Sequence, residues 1–426
     1  MGSNFVIDMS LDRSAKIKGD YNRSSLVYVG SVVPDETKYI NLAFSRAGNM
    51  CQLSLLKGFI SAGFSDIKVL SLRPAVSFPR SRQIVYTAAR ILLDGIRLDF
   101  LPFINITPVK QLSVGLSALW YLVRAAWRKR NDFQQSVVFA YNISVPPGIF
   151  TLLGARFTGS KAVAMIYDIC VPGETVPESL INRIDYWLHR KTLPLFDGLV
   201  IITDAIANDF APKLPYLRVE GGISRELISQ YQAIAASSVK DNGCFTIVTA
   251  GRLDEVNGVR EILEAFTRIK DKSFRLHIAG TGPFEAVVKE ATVKDARITF
   301  HGFLAFDEVL KLYISADVLV NMRLTQRIST RYFFPSKTME YLASGVPIIT
   351  TCPGNMAEEY GEIAYLLHDE TPQALAHLLT TVAALPEEQR RERGRIAQRY
   401  MAENKTWDAQ AEKITRFLEE LLTASG

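Results

Sequence analysis

The sequence predicts an α/β chain folded as two doubly wound parallel sheets, and three observations carry that expectation. Short runs rich in β-branched and aromatic residues alternate with stretches whose apolar residues recur every three or four positions. This alternation breaks at a polar stretch rich in small residues (219–243) and then begins afresh. The chain has 426 residues, 48% hydrophobic and 22% charged, enough apolar material to bury cores in two or three domains. The expected boundaries are a first domain over 1–220, a linker over 221–243 and a second domain over 244–404, with a helix over 405–424 packing back on the first.

In chain order, a polar leader precedes SLVYVG (25–30), a strand that enters a loop and then the helix SRAGNMCQLSLLKGFISAG, which ends at Gly63. The strands DIKVLS, SVVFAY (136–141), KAVAMIY (161–167) and GLVIIT (198–203) follow, the last preceded by the amphipathic stretch ESLINRIDYWLHRKTLPLF. The second series runs CFTIVTAGRL, FRLHIAGTG, ARITFHGFL, DVLVNM and VPIITT as strands, with helices through GVREILEAFTRI, FDEVLKLYISA and SKTMEYLAS between them. TWDAQAEKITRFLEELL is the closing helix. Strands alternating with helices imply parallel sheets covered on both faces, with ligands at the carboxyl ends of the strands, in a cleft between the two domains.

The net charge of +5 is too small for this length to mark a nucleic-acid binder. Its distribution is uneven: 25 of the 49 basic and 17 of the 44 acidic side chains lie in residues 1–220, a balance of +8 there and −3 over the rest. The four cysteines (Cys51, Cys170, Cys244, Cys352) form no CxxC pair, which fits a reducing compartment and excludes a disulfide framework. The start is polar and carries Asp8, Asp12 and Asp20, so no secretory signal is read there. The charge-free run Phe133–Ala155 is broken by Pro146, Pro147 and Gly148, so it reads as strand, turn and helix and the expected location is cytoplasmic.

The chemistry gathers in a few segments. Pro335 and Ser336 stand where a helix begins, Pro in the first turn and Ser as a cap, so the N–H groups and helix dipole there face a loop suited to phosphate oxygens. Lys337 and Arg323 supply positive charge, and Glu340 lies one turn on, able to accept from two ribose hydroxyls; the alternative is an exposed Lys337–Glu340 ion pair. In AGTGP, Gly280 and Gly282 let backbone approach a ligand, although Glu285 replaces the third glycine of a dinucleotide fingerprint and the motif alone reads as a strand-to-helix turn. His301–Gly302 ends a strand, placed either to flank a nucleotide base or as a structural histidine. Asp168 follows KAVAMIY at its carboxyl end, placed either for catalysis or to cap the turn DICVPG. No Asp-x-Asp, HExxH or His-x-x-x-His occurs, so no metal is expected.

The segment Asp317–Thr351, with AGRLDEVNGV (250–259), AGTGP (279–283) and HGFL (301–304), resembles in order and spacing the donor-binding half of glycosyltransferase family four, the group 1 transferases of GT-B fold. The resemblance covers 244–370 well. Over the first half it rests on the loop at Gly30, on Gly48–Asn49 before the first helix, and on IYDICVPGE (166–174). It implies two Rossmann-like domains facing across a cleft and metal-independent transfer, with retention, from a nucleoside diphosphate sugar, with no further cofactor. The expected acceptor is a glycan or lipid-linked glycan of a cell-surface polysaccharide. In that family Glu340 takes the ribose, Gly30, Gly48 and Asn49 lie near the diphosphate, and Asp168 orients acceptor or sugar hydroxyls, with Tyr167 where His is usual. Two positions depart from the pattern: Tyr332 stands where an acidic residue is usual, and Asn257 where the phosphate lysine is usual, with Arg252 retained. Chains with an FPSK-type motif use Asn-x-Arg and Lys for the phosphates, which here are Asn321, Arg323 and Lys337. Two other classes compete: a nucleotide-sugar 2-epimerase, for which no carboxylate and His set is found, and a non-catalytic nucleotide-binding partner of a glycosyltransferase.

QLSVGLSALWYLVRAAWRKRND (111–132) carries Leu112, Leu116, Leu119, Trp120, Val123 and Trp127 at helical spacing, with Arg124, Arg128, Lys129 and Arg130 at its end. It reads either as a peripheral contact with an anionic membrane through 111–130 or as a core helix with a solvated basic tail.

Overall fold

A strand buried along its whole length belongs inside a sheet covered on both faces, and β1 (Ser25–Gly30) is such a strand. The computed structural model describes residues 25–34, 45–64, 66–128, 136–142, 144–237, 243–327 and 330–424. The polar leader, Lys129 and Arg130 lie outside the described residues. The chain divides into two units, one of Met1–Glu220 with Trp407–Gly426 and one of Gly221–Thr406.

In the first unit β1 is followed by β2 (Asp66–Ser71), β3 (Val85–Tyr86), β4 (Ala89–Leu93), β5 (Ile96–Phe100), β6 (Phe103–Ile104), β7 (Val137–Tyr141), β8 (Lys161–Ile166), β9 (Gly198–Ile201) and β10 (Tyr216–Arg218). The main sheet runs β10-β9-β8-β7-β1-β2-β5-β4 and is parallel except for its edge pair β4–β5. β1 lies between β7 and β2, so the strand order reverses beside it and the loops after β1 and β7 diverge at one edge. The strands β3 to β6 are an addition to the expected pattern: β4 and β5 join through Asp94–Gly95, both at positive φ as a two-residue hairpin needs, and β3 pairs with β6. The helix Trp407–Thr423 completes this unit, burying Ala411, Ile414, Phe417 and Leu418 in the core of β1, β7 and the helix Arg46–Ser61.

The second unit holds β11 (Phe245–Arg252), β12 (Phe274–Thr281), β13 (Ile298–Gly302), β14 (Val318–Asn321), β15 (Ile348–Thr351) and β16 (Tyr365–Leu367) in one parallel sheet of order β13-β12-β11-β14-β15-β16. Here the reversal lies between β11 and β14, and the loops that follow these two strands carry the motif residues. Residues 221–243, expected as a linker, begin instead as part of this unit. The helix Arg225–Ser237 buries Ile228 and Tyr231 and packs on the helices Phe306–Ser315 and Glu387–Asn404. Two buried side chains in thirteen residues leave the stretch polar enough to read as a spacer. Among the described residues, no helix is long and apolar enough to cross a membrane.

Candidate functional site

The site of the second unit starts from two glycines paired across adjacent strands. Gly251 of β11 lies in register with Gly280 of β12, both at φ +133°. A Cβ on Gly280 would fall 1.7 Å from the Gly251 carbonyl oxygen, and one on Gly251 would fall 1.6 Å from Lys337 Nζ. The bare backbone therefore makes a seat for the Lys337 ammonium, which donates to the Ala250 carbonyl. Burial pulls this lysine down to about 8; Arg323 adds to the effect, while Glu340 and Asp254 oppose it.

Lys337 belongs to the helix Ser336–Ala343, whose N-cap is Pro335. The expected start is thus displaced by one residue: Pro335 caps without a side-chain bond, and Ser336 is the first helical position, exposed, rather than the cap. The Thr338 amide donates to the Pro335 carbonyl at 3.0 Å, while the Ser336 and Lys337 amides at the start of the helix have no intrahelical acceptor, so this end presents donors beside the Lys337 side chain. Glu340 faces Lys337, and burial raises its carboxyl while the lysine lowers it. The two do not form the exposed ion pair of a solvated helix, because Lys337 turns to the Ala250 carbonyl instead.

Asn321 ends β14, is buried, and donates from Nδ2 to Thr338 Oγ1 at 2.8 Å, tying the strand to the helix. Arg323 is held on three sides. Its main chain exchanges hydrogen bonds with the Thr351 hydroxyl, both 2.9 Å, its Nη1 donates to Asn257 Oδ1 at 3.0 Å, and its guanidinium lies 4.6 Å from the Phe333 ring centroid. Its Nε is buried with no partner. Asn257, standing where a lysine is usual, therefore positions the arginine. Arg252 points outward with Nε 2.9 Å from Asp254 Oδ2, and Asp254 in turn accepts from the Asn257 amide and side chain.

A small cavity of about 20 Å³ lies among Gly251, Arg252, Asn257, Asn321 and Lys337. A wider depression of about 300 Å³ opens over Arg252, Gly280, Thr281, Phe303, Leu304 and Tyr313. Gly282 sits where a Cβ would come 2.3 Å from the Leu253 carbonyl oxygen, and Gly302 ends β13 with open space beside it. His301 is occupied by its neighbour: its Nε2 is 2.9 Å from His277 Nδ1 and the rings stack, with burial lowering both.

In the first unit the residues brought forward by resemblance turn largely inward. Asn49 is 2% exposed and exchanges hydrogen bonds with both backbone groups of Val33, 3.0 and 2.9 Å, so it shapes the loop 31–34 rather than reaching beyond it. The Gly48 amide donates to the Ser45 hydroxyl that caps the helix. Gly30 leaves room for the Gln52 carboxamide, which accepts from the Ser31 amide at 3.0 Å. Asp168 is exposed beyond β8, its carboxylate accepting from Asn142 Nδ2 at 3.0 Å while Asn142 Oδ1 accepts from the Asp168 amide at 3.1 Å. The following turn is closed by Thr175, which accepts from the Val171 amide, and not by Asp168. Sequence reasoning missed Asp254, Thr338, Thr351, Phe333, Gln52 and Asn142. Of these Asp254 lay inside AGRLDEVNGV, and Phe333, Thr338 and Thr351 inside Asp317–Thr351, segments already singled out, while Gln52 and Asn142 lay in no donor motif.

Residues 244–385 match the family model described as "Glycosyl transferases group 1". The "Putative colanic acid biosynthesis glycosyltransferase WcaL" of Salmonella typhimurium is 27% identical over 225 residues, 44% of this chain and 54% of its own length. The Escherichia coli protein of the same name is 26% identical over 147 residues, 33% of this chain and 36% of its own. The matches thus span about half and about a third of those relatives. Among solved structures, sucrose-phosphate synthase from Thermosynechococcus elongatus has a TM-score of 0.63 at 15% identity, covering 94% of this chain and 100% of that one. Anabaena Alr3699/HepE, solved in complex with UDP and glucose, has a TM-score of 0.57 at 14% identity, covering 93% and 99%. These likenesses show the GT-B fold with two Rossmann-like domains, and the family match supports a glycosyltransferase of the group 1 type.

Proposed function

We propose that this chain is a retaining, metal-independent glycosyltransferase that moves a sugar from a nucleoside diphosphate sugar to a glycan or lipid-linked glycan acceptor in cell-surface polysaccharide synthesis. One observation carries the reading. Two desolvated cations, Lys337 and Arg323, lie in one electrostatic cluster, make no ion pair among the described residues, and leave a buried guanidinium N–H unpartnered. Unpaired buried charge is costly, so the cluster favours an anion. A diphosphate fits it: the two cations and the first-turn N–H groups of Ser336–Ala343 would oppose the charge that grows on the leaving group as the glycosidic bond breaks. Glu340 takes the ribose, and the 300 Å³ depression beside Gly280 and Phe303 takes the base. In this reading Asp168 orients acceptor or sugar hydroxyls, and the acceptor attacks from the face the diphosphate leaves. The relatives' name supports the polysaccharide assignment, and the complex with UDP and glucose of a structure of the same fold supports the donor class. The proposal places the protein on the cytoplasmic side, touching an anionic membrane through 111–130.

Thermal shift with UDP, GDP and dTDP sugars, followed by transfer of labelled sugar, tests the reading, because a ligand that binds only the folded state raises its melting temperature. Stabilisation by none of them would overturn it, and binding without transfer would favour a non-catalytic nucleotide binder. Glu340→Ala is expected to weaken binding of the stabilising nucleotide by about 1.5–3 kcal/mol, the value of hydrogen bonds to a charged acceptor, with the fold retained. Calorimetric titration checks this; wild-type affinity would remove Glu340 from the ribose. Because the sequence has no Asp-x-Asp and, among the described residues, no group of His, Cys, Asp or Glu is placed to hold a metal ion, transfer is expected to persist in excess EDTA, and an absolute Mg or Mn requirement would contradict the mechanism.

A further inference from the structure

In the first unit the helix Val109–Arg128 packs along Val145–Thr158, Gly115 against the Phe150 ring, and Val145–Thr158 packs in turn on Leu180–Thr192. A helix on a globular domain turns its apolar stripe inward. The first buries such a row in Val114, Ala118 and Leu122 yet exposes a second apolar row, and the third turns its apolar residues outward. Leu112, Leu116, Trp120 and Trp127 are each at least 52% exposed on the first, and on the third Leu180, Ile181 and Trp187 are each at least 56% exposed, with only Thr192 buried. Phe157, on the helix between them, is also exposed.

We propose that Leu180–Thr192 is a second contact with an anionic lipid bilayer, acting beside Val109–Arg128. The proposal rests on the reading of that first helix as a membrane contact and adds to it an element that lies far from it in sequence. Charge selects the occupant. The three helices carry seven Lys or Arg, of which Arg156 pairs with Asp197 at 3.2 Å and Arg183 with Glu178 at 3.4 Å, and their own single acidic residue, Asp185, faces His189 at 3.4 Å, so the basic excess remains. Two of the cations lie over exposed indoles: the Arg124 guanidinium is 4.9 Å from the Trp120 ring and the Lys191 ammonium 6.0 Å from the Trp187 ring. An indole at the acyl boundary with a cation above it at phosphate level suits an anionic bilayer and not an uncharged apolar partner.

Flotation with vesicles of phosphatidylcholine alone, and of phosphatidylcholine with phosphatidylglycerol, tests this on the whole chain. Wild type is expected to float only with the anionic vesicles and to be released as salt rises. A Leu180→Ser/Ile181→Ser/Trp187→Ser variant and a separate Trp120→Ser/Arg124→Ser/Trp127→Ser variant are each expected to lose about tenfold or more in vesicle affinity. Both alter exposed positions, so circular-dichroism melting should be unchanged; should the first variant fail to melt cooperatively, Arg190→Glu/Lys191→Glu, which keeps the apolar row, decides with the same expected loss. Wild type ignoring anionic vesicles would sink both contacts. Loss in the Trp120 variant alone would sink only the second helix and leave the first reading standing. A dimer in sedimentation equilibrium without lipid, dissociated by the Leu180 variant, would overturn the proposal in favour of pairing between copies.

Discussion

Replacing Lys337 with methionine is expected to lower turnover by about 10²- to 10³-fold, the loss seen when one preorganised donor to a developing charge is removed. The donor Michaelis constant should rise far less, because charge on the diphosphate is greatest as the sugar departs. Arg323→Ala should behave alike, since Asn257, Phe333 and Thr351 hold that arginine in one place. Initial-rate kinetics check both; wild-type turnover in either would move the phosphate site toward Arg252. The lysine also sets a pH dependence. In the folded chain its ammonium titrates near 8 because it is buried, against an ordinary value of 10.5. Between those values the unfolded chain keeps a proton that the folded chain has released, so this group makes folding more favourable as pH rises through the window. Donor binding has the opposite sign. The diphosphate selects the ammonium form, so affinity should be flat below about pH 8 and weaken above it, approaching tenfold per pH unit. Lys337→Met should flatten that profile, and an unchanged profile would assign the titration to another group.

Gly280→Ala is expected to cost about 3 kcal/mol or more in the second unit. The new Cβ meets the Gly251 carbonyl oxygen at 1.7 Å, which is backbone and cannot rotate away, at a φ of +133° that L residues avoid. The paired ends of β11 and β12 must part, and the seat of Lys337 goes with them, so donor binding should fall together with stability. All four tryptophans, Trp120, Trp127, Trp187 and Trp407, belong to the first unit. Indole emission therefore follows that unit alone, while far-ultraviolet circular dichroism follows both. In urea the variant should shift only the component of the dichroism transition that indole emission does not report. Coincident, unshifted transitions would mean that the strands tolerate the methyl.

Legibility followed burial and sequence distance. β1, β7 and β8 are buried on both faces and therefore read as continuous apolar runs. The strands β3 to β6 escaped because they are two to five residues long and partly exposed, as at Leu92, so neither period nor hydrophobicity marks them. Asn321, Arg323, Lys337 and Glu340 were legible together because one segment carries all four. The groups that hold Arg323 and Asp168 were not: Thr351 lies 28 residues from Arg323 and Asn142 lies 26 from Asp168, separations that only the parallel sheets close. The engagement of Asn49 was illegible for the same reason. Its partner Val33 is 16 residues away, and nothing local shows that the amide is already engaged.

The helix Trp407–Thr423 belongs to the unit begun at β1, yet residues 221–406 form the other unit and are translated between the two. At elongation rates of about 5–20 residues per second, that interval lasts on the order of ten to forty seconds. Throughout it the face of Arg46–Ser61 that Ala411, Ile414 and Phe417 will cover stands open on a chain still tethered to the ribosome. The intervening unit has all its residues and can close first. Synthesis order is thereby inverted: the part of the protein made earliest is finished last, and until then it presents an apolar surface of the kind holdase chaperones recognise.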